Sequence, residues 1–339
     1  MKYAIYVSLG FLVAFECAHA QPTPVAGGEQ KESLLGKLHL EPKYFQPTQE
    51  NREGGLGFTY KVDETVATPT GKVELPNNAY RMSKLEFKAE GTVAFKSSIN
   101  PADFLKTSFE YNYEYSKAGV VTIGAPGSGC DPKDPKTAEA CRKEALRSRT
   151  GEGFRVNVGA TASFESDQKF DKRNKTYGAQ STIVYRPAPD SFANQWNPLD
   201  WPFRVLRRAS NHPLGFDPSP DAFPKLRLAL ERVNPDKDTD REAILGKKDD
   251  YNRVNMEVAM SSPVATLEGK QVKFEWSWRY FKELSPNSAI HAASLDRFRY
   301  SGLSFRLDSG WRLTYATGRL PLNRQDQAAW ELGYQLKFD

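Results

Sequence analysis

The sequence predicts an all-β protein, a single antiparallel transmembrane β-barrel of about twelve strands, with ten as the fallback count. Three observations predict it. About eleven segments alternate apolar and polar residues with a period of two, most near the ~10 residues of a membrane strand. Aromatic side chains crowd the apolar faces and often sit at segment ends. The N-terminus reads as a secretory signal: Lys2 is the charged start, Ile5 to Phe15 is mostly apolar, and Ala18-His19-Ala20 is a small-x-small cleavage site. A soluble β-sandwich also alternates, with its apolar face inward. The export signal and the persistence of apolar faces to the C-terminus favour the barrel.

Residues 1–20 are assigned to the signal and 55–339 to the barrel. Glu16 before Cys17 is wrong for a lipoprotein signal, so no lipid anchor is expected. Residues 21–54 are polar and rich in Pro, Gly, Gln and Glu, and read as a tail or plug element rather than a strand. The alternating segments then run in order. Leu56 to Val62 is followed by Leu85 to Phe95, Phe109 to Tyr115, Phe154 to Phe164 and Tyr177 to Tyr185. Next come the shorter Leu226 to Leu230, then Val254 to Thr266 and Val272 to Tyr280. From Arg297 to Asp308 the phase slips: Phe298 and Tyr300 share one phase, Leu303, Phe305 and Leu307 the other. A β-bulge at Ser301-Gly302 would restore the facing. Trp311 to Thr317 precedes the final segment.

That final segment carries Ala328, Trp330, Leu332, Tyr334, Leu336 and Phe338 on one face and Gln327, Glu331, Gln335 and Lys337 on the other. It ends on an aromatic with one residue left over. In this it resembles the closing strand of Gram-negative outer-membrane β-barrel proteins, at the level of architecture. The resemblance implies residence in the bacterial outer membrane, with outer-membrane lipid, the barrel-assembly machinery and small solutes as partners.

Connection lengths bear on orientation, because bacterial barrels have even strand numbers, short periplasmic turns and longer outer loops. Counting back from a periplasmic C-terminus, 308–310 and 268–271 are inner turns, and 282–296 and 234–250 lie outside. Counting forward from a periplasmic N-terminus, 97–104 and 167–174 are inner and 119–152 is outside. The two counts disagree by one strand. The missing strand is expected within 188–224, too long for a structureless link, with Phe203 to Arg208 as its best candidate.

The polar faces are densely charged. The lumen is expected to carry Glu110, Arg155, Glu257, Arg279, Arg299, Arg306, Arg312 and Glu331, with Lys84, Glu86, Lys88, Glu90, Lys106, Glu165, Arg227, Glu231 and Arg253 among their neighbours. Two readings stay open: a narrow aqueous channel whose charges set selectivity, and a closed interior held by cross-strand ion pairs. The arginine excess at 297–312 would suit anionic solutes, or would pair with Glu257, Glu275 and Glu331.

Cys130 and Cys141, the two cysteines left after signal cleavage, are expected to pair in an oxidising compartment and staple the 119–152 loop, giving the closed barrel a surface to present. The mean hydropathy of −0.62 fits a barrel whose strands half face a polar lumen. The net charge of +5 is too small and dispersed for nucleic acid. No enzyme activity, cofactor or metal is expected. The weak alternative is a lipid hydrolase using His291, Ser294 and Asp296. Asp236-Lys237-Asp238-Thr239-Asp240 begins like a calcium loop, but Arg241 and Lys247 stand where Gly and Glu are needed. The cluster Trp196, Trp201, Pro202 and Phe203 suggests an ordered link, either folded into the barrel or docked elsewhere.

Overall fold

The computed structural model describes residues 37–50, 52–118, 152–188, 191–323 and 326–336. The signal, Cys130 and Cys141 lie outside the described residues. Thirteen strands form one antiparallel sheet: β1 Leu38–Pro47, β2 Gly55–Ala67, β3 Val73–Leu75, β4 Ala79–Ala94, β5 Leu105–Ala118, β6 Gly153–Ser166 and β7 Arg173–Arg186. The remainder are β8 Lys225–Lys237, β9 Tyr251–Leu267, β10 Lys270–Leu284, β11 Arg297–Leu307, β12 Trp311–Gly318 and β13 Gln327–Tyr334. β1 pairs with β13 and β2 with β4, so twelve strands close on themselves and the short β3 extends one edge of β4. Closure leaves the ring without an exposed hydrogen-bonding edge. Among the described residues four short α-helices lie in the links: α1 Phe192–Gln195, α2 Trp201–Ala209, α3 Thr239–Leu245 and α4 Ser288–Ala292.

The barrel is inside-out relative to a water-soluble protein. Tyr111, Tyr113, Val158, Leu228, Leu230, Phe305, Leu313, Trp330 and Leu332 all project exposed from the outer wall. The inward side chains of β5 (Lys106, Ser108, Glu110, Asn112, Glu114 and Ser116) are all buried. The eleven alternating segments map one to one onto β2 and β4 to β13, with Phe95, Asp308 and Leu336 falling just past their strand ends, because period-two patterning with one apolar face is what a barrel wall demands.

The twelfth strand lies elsewhere than expected. Residues 38–47, read as part of a polar tail, form β1 and close the ring between β2 and β13. The two prolines of this strand do not exclude it. The β1–β13 ladder lapses at residues 41–42, where Pro42 brings no N–H, and resumes at the Leu40–Leu336 bridge. Phe203 to Arg208, the expected strand, belongs to helix α2, with Pro202 in its first turn.

This correction moves the links. Leu38 and Leu336 sit at one end of the barrel, with the turns 268–269 and 308–310 and the flanks of 119–152 and the link 187–224. The links 95–104, 167–172, 238–250, 285–296 and 319–326 gather at the opposite, far end. The forward count therefore inverted 97–104, 167–174 and the cysteine loop, because it began one strand late. The backward count placed its two turns at the end that carries Leu336, and the structure does the same. Glu268 and Gly269, with φ of 49° and 78°, make a two-residue hairpin between β9 and β10.

No bulge occurs at Ser301-Gly302: β11 pairs without interruption with both β10 and β12. Its even-numbered side chains all face inward, so Phe298 and Tyr300 enter the barrel and Arg297 and Arg299 turn outward. The sheet does shift register in β9, between the partners of Val272 and Lys273.

Candidate functional site: the barrel interior

The interior is built from side chains that alternate with the apolar outer band, and charge fills it in layers. Near the termini end, Gly333 leaves the room that Glu41 occupies, since a side chain there would collide with the Glu41 carboxylate. Arg312 then reaches Glu41 at 3.0 Å and Glu275 at 2.9 Å, while Lys43 holds Glu331 at 2.8 Å. Arg306 joins Glu275 at 3.2 Å. Arg155 lies 3.6 Å from Glu114 and is half exposed near this mouth.

At mid-height Glu110 on β5 receives Lys88 from β4, Gln180 from β7 and Arg227 from β8, the two cations at 2.8 Å and the amide at 3.0 Å. Arg227 also approaches Glu257 at 3.7 Å and donates to Gln180. Toward the far end Arg253 on β9 is fully buried between Glu231 at 2.6 Å and Glu165 at 2.5 Å, with Lys106 at 3.9 Å from both carboxylates. Ion pairs between strands that are not neighbours can form only across the lumen.

The widest crossing is Arg279 on β10 to Glu90 on β4 at 3.2 Å. Going round the ring of twelve, β4 and β10 are six steps apart in either direction. The two side chains therefore span the barrel between diametrically opposed strands. Above them Phe104, Phe281 and Leu320 pack as an apolar plate, and Arg241 of α3 holds Glu283 at 2.7 Å. Gln168 ties the far-end links together, bonding the Ala94 carbonyl at 2.9 Å and the Asp103 carboxylate at 2.7 Å. Open space remains toward the termini end, as a cavity of about 440 Å³ lined in part by Lys225, Ser261, Glu275, Ser277, Ser304 and Arg312.

Of the expected lumen residues, Glu110, Arg155, Glu257, Arg279, Arg306, Arg312 and Glu331 face inward, and each has a partner there. Arg299 is the exception. It pairs in register with outward-facing Tyr280 and stands exposed near the far rim. The sequence reading missed Glu41 and Lys43, because β1 was taken as tail, and it missed Arg241 with Glu283. Asp238, whose side chain accepts from the Arg241 N–H at 3.1 Å, caps α3 and was the available signal for that helix.

The remaining candidates have local structural partners. His291 Nδ1 is 2.9 Å from Asp296, but among the described residues no hydrogen bond joins the Ser294 hydroxyl to His291. In the calcium-like stretch Asp236 pairs with Arg173 and Asp240 with Lys172, while Asp238 serves as the cap.

No family model matches the chain, and no curated protein matches it. Among solved structures it is similar to the NanC porin, at 8% identity over 89% of this chain and 100% of that one, with a TM-score of 0.39. It is similar to the KdgM porin, solved in complex with disordered oligogalacturonate, at 9% identity over 89% and 99% of the two chains and a TM-score of 0.28. The translocator domain of the autotransporter NalP from Neisseria meningitidis matches at 10% identity over 99% and 97%, with a TM-score of 0.24. At such low overlap the barrel architecture rests on the chain's own closed sheet of twelve strands.

Proposed function

We propose that the protein is an outer-membrane barrel that passes small hydrophilic solutes along a narrow, hydrated, charge-lined interior. The observation that carries this reading is the inversion of polarity round the whole ring: apolar and aromatic outside, charged inside. An apolar band on a closed sheet suits a bilayer, where every backbone group must find its partner within the protein. Inward atoms such as Asn157 Oδ1, Thr161 Oγ1 and Asn255 Oδ1 have no protein partner among the described residues, which suits a wet interior. The Glu90–Arg279 bridge is the constriction of this path.

Single-channel recording in a planar bilayer tests the reading. The refolded mature protein should give small discrete steps, and Arg279→Ala, which removes the bridge, should enlarge them. Silence from both proteins, with insertion verified, would overturn it. The Phe104–Phe281–Leu320 plate favours a second reading, a closed barrel that presents surfaces to a partner. That double silence is the result it requires.

A further inference from the structure

The link between β7 and β8 neither crosses the lumen nor adds a strand. It leaves β7 at the termini end; its helices lie against the outer wall, and Pro220, Asp221 and Phe223 then line the interior cavity at that mouth. Phe203 of α2 packs on outward-facing Phe274, ring centres 4.8 Å apart, and Met260, Ser262 and Val264 of β9 are buried at this contact.

The attachment is polar. Arg207 is fully buried and grips Asp200 with two nitrogens, at 3.0 and 2.9 Å. It also donates to Ser262 Oγ at 3.1 Å, the Pro263 carbonyl at 2.9 Å and the Asp217 carbonyl at 2.8 Å. Ser262 Oγ and the Ser219 N–H complete the ring of donors on Asp200. Arg204, also buried, bonds Asp200 and the carbonyls of Asn194 and Gln195.

The opposite side is apolar and, among the described residues, uncovered. Phe192, Trp196, Trp201 and Phe216 form a ladder with successive ring centres 6.0, 6.5 and 6.5 Å apart. Phe192 is 77% exposed, Trp196 62%, Val205 59% and Leu206 50%. A helix on a water-soluble protein turns its apolar stripe inward and its charges out. Helix α2 does the reverse: two of its three arginines are consumed within the protein, and Trp201, Val205 and Leu206 point away. That arrangement fits an apolar surrounding. The wall carries aromatics of its own at this end of the barrel, where Trp311 and Tyr334 pair at 5.1 Å beside the 308–310 turn.

We propose that residues 191–216 form an in-plane membrane anchor. Its aromatic ladder seats at the boundary between lipid headgroups and acyl chains, in the leaflet beside the termini end of the barrel. The proposal rests on the outer-membrane reading and adds to it a lipid contact made by a link rather than a strand.

Site-directed spin labelling in phosphatidylcholine vesicles tests it, in the mature protein, residues 21–339, carrying Cys130→Ser and Cys141→Ser. Labels are placed at Val205→Cys on the anchor, Leu332→Cys on the wall and Lys72→Cys in the 68–78 link at the same end. Oxygen partitions into the bilayer; a nickel chelate stays in water. The oxygen-to-nickel accessibility ratio at Val205 should match that at Leu332 and exceed that at Lys72 several-fold. A Val205 label that behaves like Lys72 overturns the anchor. A label shielded from both reagents also overturns it, in favour of a second copy or a protein partner. If Leu332 itself reads as aqueous, the membrane reading fails first, and the two failures are thereby told apart.

Discussion

Two arginines are fully buried on opposite sides of one barrel wall. Arg253 lies inside, between Glu231 and Glu165 from strands two different distances away round the ring. Arg207 lies outside, locked to Asp200 and to Ser262 on the outer face of β9. Each charge is taken out of water and each is compensated, as burial requires. Their consequences differ. The inner cluster joins separate strands across the lumen and narrows it. The outer cluster gathers residues 200–219 onto Ser262 and Pro263, and its effect is to remove two guanidinium charges from a face whose large exposed side chains are apolar. In an inside-out protein, burying a charge inward shapes the path, and burying one outward shapes the boundary.

Removing Arg253 should have the largest effect. Arg253→Ala leaves Glu165 and Glu231 buried with Lys106 as their remaining nearby cation, 3.9 Å away. Loss of one member of a buried cluster costs about 3–5 kcal/mol. Chemical unfolding in micelles should show that loss, and adding Glu165→Gln should recover part of it. Arg207→Ala should cost less, about 3 kcal/mol, because Arg204 stays on Asp200. Its signature is local: proteolysis within 191–223 should rise while the strands stay protected. Unfolding of the entire barrel by Arg207→Ala would erase the distinction between the two clusters.

The same contrast explains what could be read from the chain. The wall was legible because Leu56 to Val62 and its successors repeat one rule, apolar out and polar in. Strand β1 follows that rule with Leu40 and Tyr44 outward and Glu41 and Lys43 inward. Pro42 and Phe45 break the pattern, the first by composition and the second by placing an aromatic inside. Missing it reversed the forward count of links. Helix α2 was illegible for another reason. Arg204 and Arg207 face the protein and Trp201, Val205 and Leu206 face away, and the search for a twelfth strand led Phe203 to Arg208 to be read as extended. The inward placement of most expected lumen charges followed from alternation, but their pairing across the ring did not. Which Glu meets which Arg depends on stagger, and a single strand does not encode it.

A smaller effect is expected from pH at the far end. Burial pushes the Asp103 carboxyl up to about 6, partly opposed by the Gln168 N–H that donates to it. Its folded pKa lies above its unfolded value, so the folded state holds the proton more tightly. The stabilisation from protonation is complete below the unfolded pKa near 3.8 and is lost as pH rises through about 6. The difference is at most about 3 kcal/mol. Hydrogen exchange of the 95–104 and 167–172 links should therefore quicken between pH 4 and about 6, and Asp103→Asn should flatten that dependence. An unchanged profile in the variant would assign the pH response to another group.

The smallest effect is the most discriminating. Arg299 and Arg312 belong to the same arginine-rich stretch of sequence, yet alternation sends Arg312 inward to Glu41 and Glu275 and Arg299 outward to the far rim. Under a salt gradient, Arg312→Glu should move the reversal potential toward cation preference, because three carboxylates would then face the path. Arg299→Glu should leave it nearly unchanged, since a rim charge outside the wall is screened within about 10 Å at 0.1 M salt. Equal shifts from the two variants would mean that the outward face of β11 at its first residues also borders the conducting path, and the boundary between inside and outside would have to be redrawn at that rim.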